Sequence, residues 1–279
     1  MGLGPFDLTG GAFLALYGVL LLAAVVAGMA IPRRLRPEGG PGRTNDVDQL
    51  AYLAGRATRL TDAAVARLLA AGALVLEDKG NFRIVPGVQG QTAAERAILR
   101  LSSPVTLANL QRAATSTAPA TEDALRRAGL LLEDLIAWEL RLFQTLPYLL
   151  LLAFGAIKWD IGVMRGRPVG FLTVLLVLTA LFALIRFVVV DRRTRSGLAA
   201  LETARSGSER LRRAPVATET GLAVALFGTT VLSGSAWGDY HRLRAASGGD
   251  GSVSGDSGSS CGCSGGDGGG GGGCGGCSS

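Results

Sequence analysis

Cysteine is absent from the first 260 residues, histidine occurs once, at His241, and lysine twice, at Lys79 and Lys158. Each scarcity excludes something. With all four cysteines in the last 19 residues, no disulfide staples a folded core. A Ser or Cys nucleophile needs a neighbouring base, most often His, and the single His borders a low-complexity tail that holds every Cys. No Gly-rich phosphate loop followed by Lys and Ser/Thr occurs. The carboxylate pairs Glu77/Asp78 and Glu133/Asp134 are adjacent in sequence and read as solvated segment ends. The residues therefore point away from an enzyme.

Charge is missing from three long runs. The chain is 48% hydrophobic, with a mean hydropathy of +0.34 despite 41 glycines, so its apolar residues must be concentrated. A bilayer core about 30 Å thick needs roughly 20 helical residues to cross. Residues 12–31 form the first expected span, within an uncharged stretch between Asp7 and Arg33. A cleaved signal peptide is the rival reading, but the segment lacks a basic leading region and its apolar run is too long. The second span, 142–158, is short and is extended by a snorkelling Lys158 and an interfacial Trp159. The third, 168–190, carries Arg186 in its last turn. The linking segment 159–167 makes spans two and three antiparallel neighbours, and Lys158 and Asp160 read as interfacial residues. A fourth uncharged stretch, Thr220 to Gly238, is broken by Gly221, Gly228, Thr229, Thr230, Ser233, Gly234 and Ser235. It reads as a short helix lying on the soluble part or on the membrane surface.

Nearly all basic residues are Arg, and they flank the apolar runs. The formal charge of +6 and pI near 9.6 therefore report membrane topology, and no nucleic acid partner is expected. The bias places the N-terminal segment 1–11 outside, with Arg33, Arg34, Arg36, Arg43, Arg192, Arg193 and Arg195 in the cytoplasm. Lys158, Arg165 and Arg167 on the outer hairpin weaken that bias without reversing it. The Ala, Gly and Arg richness suggests a GC-rich bacterial genome, hence a multi-pass protein of the bacterial plasma membrane.

A linker at 37–44 leads into a cytoplasmic domain, 45–141. Asn45 or Asp46 caps a helix running to about Gly55. Thr61-Asp62 opens a second, with Val65, Leu68 and Leu69 at helical spacing and Gly72 as its stop. Leu74 to Glu77 reads as a strand, Asp78-Lys79-Gly80-Asn81 as a turn and Phe82 to Val85 as the returning strand. Helix, turn, helix and hairpin is the pattern of a winged helix. Ala71 to Asp78 is echoed by Ala128 to Asp134 with one residue deleted, after helix candidates at Thr92–Leu101, Leu107–Ala114 and Thr121–Ala128. Two related units are expected, the second without its wing. The outward positions of the Thr61 helix are read as Asp62, Ala63, Ala66, Arg67 and Ala70, a poor set for reading bases. Residues 191–246 form a further cytoplasmic helical segment.

The tail, 247–279, is almost wholly Gly, Ser, Asp and Cys and is expected to be disordered. Its thiols, Cys261, Cys263, Cys274 and Cys277, form two close pairs, and a thiolate quartet suits zinc. Cys274-x-x-Cys277 has standard spacing, while Cys261-x-Cys263 is tighter than usual. No other cofactor is expected.

The stretch Gly166-Arg167-Pro168-Val169-Gly170-Phe171-Leu172, with Asp48 to Leu53, Gly55, the Ala-rich helix ending at Gly72 and the Gly/Cys-rich terminus, resembles a family of uncharacterised, chiefly actinobacterial membrane proteins. The resemblance covers roughly residues 10–235 and the style of the tail, and it implies architecture without any activity or binding residue. The expected fold is mainly α and integral to a membrane: three transmembrane helices, a small winged-helix-like α+β cytoplasmic domain and a disordered tail. The expected role is a non-enzymatic, membrane-anchored module in contact with the lipid bilayer and a protein partner. The alternative is metal handling by the tail cysteines. A small transporter is disfavoured by the three spans and by the lack of a polar cluster within them.

Overall fold

The computed structural model describes residues 10–40, 44–77, 80–164, 166, 170–189, 191–213 and 215–248. The first nine residues, Arg43, the Asp78-Lys79 turn, Arg165, Arg167 to Val169 and the tail thiols lie outside the described residues. The chain runs α1 (Gly10–Leu35), α2 (Val47–Ala70), β1 (Leu74–Leu76), β2 (Asn81–Ile84), α3 (Ala93–Leu99), β3 (Val105–Thr106), α4 (Leu107–Thr115) and α5 (Ala118–Arg127). It continues through α6 (Asp134–Met164), α7 (Gly170–Val188), α8 (Arg195–Gly207), α9 (Glu209–Arg213), α10 (Thr220–Phe227) and α11 (Gly238–Ala246). The protein is mainly helical with one small sheet.

Three helices, α1, α6 and α7, are long and apolar enough to cross a membrane. The second expected span lies within a longer helix. Helix α6 has 31 residues, so it is about 46 Å long at 1.5 Å per residue, and 142–158 is only its middle. Glu139 and Arg141 interrupt the uncharged run without interrupting the helix. Beyond Lys158 the helix continues to Met164, which shortens the expected hairpin.

Helices α1 and α6 interlock through a reciprocal pair of contacts. The Tyr17 ring lies on Gly155, where a Cβ would come within 2.7 Å of it. The Tyr148 ring lies on Gly28, where a Cβ would come within 2.8 Å. Small residues that admit a neighbouring ring or backbone are how apolar helices associate without a hydrophobic driving force. Helix α7 joins through Thr179. Its hydroxyl donates to the Leu175 carbonyl at 2.7 Å and accepts from the Tyr17 hydroxyl at 3.1 Å.

The rest of the described chain packs into a separate body. Asp46 caps α2 by accepting from the Asp48 amide at 3.0 Å. The helix breaks at Gly55-Arg56, where Arg56 has φ +57°, so it is two helical halves, as its caps implied. It ends at Gly72, φ +69°, with Ala73 N–H donating to the Leu68 carbonyl. Helix α5 ends in the same way, at Gly129, φ +71°, with Leu130 N–H donating to the Leu125 carbonyl. The two echoed sequences thus share a helix stop in which a left-handed glycine is required. Strands β1 and β2 pair antiparallel with Leu74 opposite Ile84, and β3 adds a third strand, Phe82 facing Val105. Two residues are too few to show a period of two, so β3 is invisible to a pattern search.

The Thr220–Gly238 stretch begins with a short helix packed on α2, the first of the two placements expected for it. Thr220, Gly221, Ala223, Val224, Ala225 and Leu226 of α10 are all buried, and α10 lies along α2. The face of α2 read as outward is therefore covered. Ala63 and Ala66 are wholly buried, and Arg67 is tied to Asp48 and Glu95, each at 2.5 Å. Residues 191–246 and the body built from 45–133 share one core, in which Leu60, Phe82, Leu110, Val224, Leu232 and Tyr240 meet.

That shared core has a polar anchor. Asp62 on α2 accepts from Tyr240 at 2.8 Å and from Arg244 at 2.6 and 3.1 Å, both residues on α11. Burial pushes the Asp62 carboxyl up from its ordinary range, while the Arg244 and Tyr240 bonds hold it back. Removing the charge leaves the buried Arg244 guanidinium without this carboxylate. Asp62→Asn should cost about 3–5 kcal/mol of stability in thermal unfolding of the solubilised protein, with Asp62→Leu/Arg244→Met recovering most of it. Equal stability of Asp62→Asn and wild type would contradict the anchor.

Candidate functional site: the junction of the apolar helices and the body

The chain passes three times between the apolar helices and the body: at 36–40, at 129–134 and at 189–197. The second and third passages pair as antiparallel strands. Leu131 stands opposite Arg193, Leu132 N–H donates to the Arg192 carbonyl at 2.8 Å and Thr194 N–H to the Leu130 carbonyl at 3.1 Å. The first passage crosses both. Gly40 N–H donates to the Gly129 carbonyl at 3.1 Å, Arg195 N–H to Pro37 at 3.1 Å and Ser196 N–H to Glu38 at 2.9 Å.

Thr194 is the hub. Its hydroxyl donates to the Gly129 carbonyl at 2.8 Å and accepts from Gly197 N–H at 3.1 Å, capping α8. It is 3% exposed. Glycine is needed for closeness here. A Cβ on Gly39 would overlap the Gly129 carbonyl oxygen, one on Gly129 the Gly40 amide, and one on Gly197 the Leu130 carbonyl oxygen.

Charges bracket the hub. On one side Arg126 bonds Glu122 at 2.6 Å and Asp134 at 2.9 Å, Arg192 bonds Asp134 at 3.0 Å, and Tyr52 donates to Glu122 at 2.5 Å. Burial and Glu122 together push the Tyr52 hydroxyl up to about 12. Burial works to raise the Glu122 carboxyl, but bonds from Tyr52 and Arg126 outweigh it and hold the group below its ordinary 4.5. Its contribution is complete above that value and drains as pH falls through the lowered one. On the other side Asp191 accepts from Arg36 at 3.0 Å. Arg193 donates at 3.0 Å to the Ala54 carbonyl, next to the Gly55-Arg56 break in α2. The break leaves that carbonyl at a helix end, where a cation is favourable.

The arrangement is one of structural hydrogen bonds and ion pairs. His241, the only ring base, bonds Thr229 at 3.0 Å. Among the described residues no three His, Cys, Asp or Glu are gathered to hold a metal. Cys261, Cys263, Cys274 and Cys277 lie outside them. Lys158 Nζ stands 5.0 Å from the centre of the Phe13 ring. Two clefts open on the body. One, about 800 Å³, is lined by Arg59, Glu202, Arg205, Glu209, Arg212 and Phe227. The other, about 460 Å³, lies between β1 and Trp237, with Leu69, Leu74, Leu76 and Tyr240. No signal in the sequence marks the junction except its glycines, which are also common in linkers. No protein-family model, curated protein or solved structure matches the chain, so its functional reading rests on this geometry.

Two glycines of α8 test the closeness. Gly197→Ala must force Leu130 away from Thr194 and should destabilise the protein by about 1–3 kcal/mol. Gly207→Ala, with nothing within 4 Å, should be neutral or slightly stabilising. Thermal unfolding of both variants reads the difference; equal midpoints would refute a tight junction.

Proposed function

We propose that the protein is a non-enzymatic, membrane-anchored interaction module of a bacterial plasma membrane, with its N-terminus outside and its body and tail in the cytoplasm. The three apolar helices support the anchoring, and the positive flanks of the sequence support the orientation. The body supports a winged-helix relationship with a cyclically shifted chain order. The second half of α2 leads into the hairpin β1-β2, and β3, between α3 and α4, takes the third place in the sheet. Because α10 covers the face of α2 that would enter a DNA groove, the fold favours protein over nucleic acid as partner.

The observation that carries an interaction role is the edge of β1, which no other strand among the described residues covers. The bonds from Glu77 N–H to Asn81 and from Val85 N–H to Ala73 turn alternate residues toward β2. The amides and carbonyls of Leu74 and Leu76 therefore face away from it, beside the cleft walled by Trp237. An unpaired strand edge next to an apolar groove suits an extended segment of a partner protein, added as a fourth strand.

Leu76→Pro removes one outward amide. Site-specific crosslinking from Val75 should capture a partner in the wild type and lose it in Leu76→Pro with the unfolding midpoint retained, whereas an unchanged adduct would contradict strand addition. The native tail thiols test the location. A membrane-impermeant maleimide should label them only after lysis; labelling of intact cells stripped of outer barriers would invert the topology.

A further inference from the structure

The last turns of α1 gather guanidinium groups that no carboxylate among the described residues neutralises. Pro32 lies inside α1 and has no N–H, so the Gly28 carbonyl four residues earlier loses its helical donor. The Arg186 side chain, from the last turn of α7, donates to that carbonyl. One turn further on, Arg195 donates at 3.4 and 3.2 Å to the carbonyls of Arg33 and Arg34, capping the helix end. The Arg33 and Arg34 side chains are themselves exposed. Four arginines thus surround one helix end.

Their counter-charge is absent from the described residues. Arg36, Arg67, Arg83, Arg126, Arg192, Arg193, Arg210, Arg242 and Arg244 each have a carboxylate within 4 Å. Arg33, Arg34, Arg186 and Arg195 have none, and Asp191 is taken by Arg36 and Arg193. The Arg186 Nε is enclosed without a hydrogen-bond partner. A cation at the margin of an apolar helix group is costly unless an anion meets it, and Arg forks match phosphate oxygens.

We propose that this end of α1 binds the phosphate of an anionic phospholipid, with Arg33, Arg34 and Arg195 toward the headgroup and Arg186 clamping α7 to α1 above it. The proposal rests on the membrane reading. A free phosphate offers the same chemistry, but a site where three apolar helices end lies at the depth of lipid headgroups.

The test uses the full-length protein. Flotation with phosphatidylcholine vesicles comes first; failure to float overturns the membrane reading and the lipid site with it. The solubilised protein is then offered equal phosphatidylglycerol and phosphatidylcholine, and retained lipid is counted by native mass spectrometry. Retention should favour phosphatidylglycerol by about tenfold or more, a difference of one interaction of ordinary strength. Arg33→Gln/Arg34→Gln, at exposed positions, should lose most of that preference, and Arg33→Lys/Arg34→Lys should keep part of it. A floating protein with equal retention of both lipids overturns the site alone. So does a preference unchanged in the glutamine variant, or a rise in thermal midpoint that inorganic phosphate matches without lipid.

Discussion

Three times the chain passes between the apolar helices and the body, and all three passages are hydrogen-bonded to one another around Thr194. That constraint orders the rest. The strand at Leu130–Leu132 finds its partner at Arg192–Thr194 only after the chain has run through α6 and α7 and back. In the first of the two echoed units the same place is filled by an ordinary hairpin, β1-β2. The apolar pair α6-α7 thus stands where a hairpin turn would be. Loop closure grows slowly with length, by about 0.6 kcal/mol per doubling, and two antiparallel helices return the chain to its starting point. A long insertion between paired strands is therefore tolerable, provided the strand ends are held close. Gly39, Gly129 and Gly197 allow that closeness, because a side chain at any of them would part the passages.

The junction also explains why the C-terminal segment belongs to the body. Once Thr194 is fixed, α8 starts against Leu130, and the chain after it is brought back over α2. Helix α10 then buries its apolar residues on α2, and α11 closes the core with Tyr240 and Arg244 on Asp62. Burying a side chain such as Val224 or Leu226 is worth about 1.5–3 kcal/mol, and the Asp62 cluster gives the seating one register. The β1 edge and the arginine-rich end of α1 lie on different parts of the molecule and suit different partners.

Much of this was legible in the sequence where the physics is local. Hydropathy located the three apolar helices, Asp46 and Gly72 marked the ends of α2, and the Leu74–Val85 hairpin followed from alternation and its turn. The echo at Ala128–Asp134 pointed to a repeated helix stop that the backbone shares. What failed was long-range. Alanine carries no sign of which way it faces, so Ala63 and Ala66 read as outward until α10 covered them. A short apolar helix has the same composition in a core as at a membrane surface, so Thr220–Phe227 stayed ambiguous. The partners of Asp62 lie 178 and 182 residues away, and the partner of Leu131 lies beyond two helices. The tail cysteines, conspicuous in the sequence, lie outside the described residues.

The pairing of Leu131 with Arg193 tests the central claim most directly. The flanking bonds make it a non-hydrogen-bonded antiparallel pair, for which Cα atoms lie about 4.5 Å apart, within the reach of a disulfide, about 4.4–6.8 Å. With the four tail cysteines replaced by Ser, the Leu131→Cys/Arg193→Cys protein is oxidised mildly and its free thiols are counted. The account predicts one intramolecular disulfide and no reactive thiol. Two freely reactive thiols would mean that the passages before α6 and after α7 do not pair, and that the apolar helices are joined to the body by ordinary linkers.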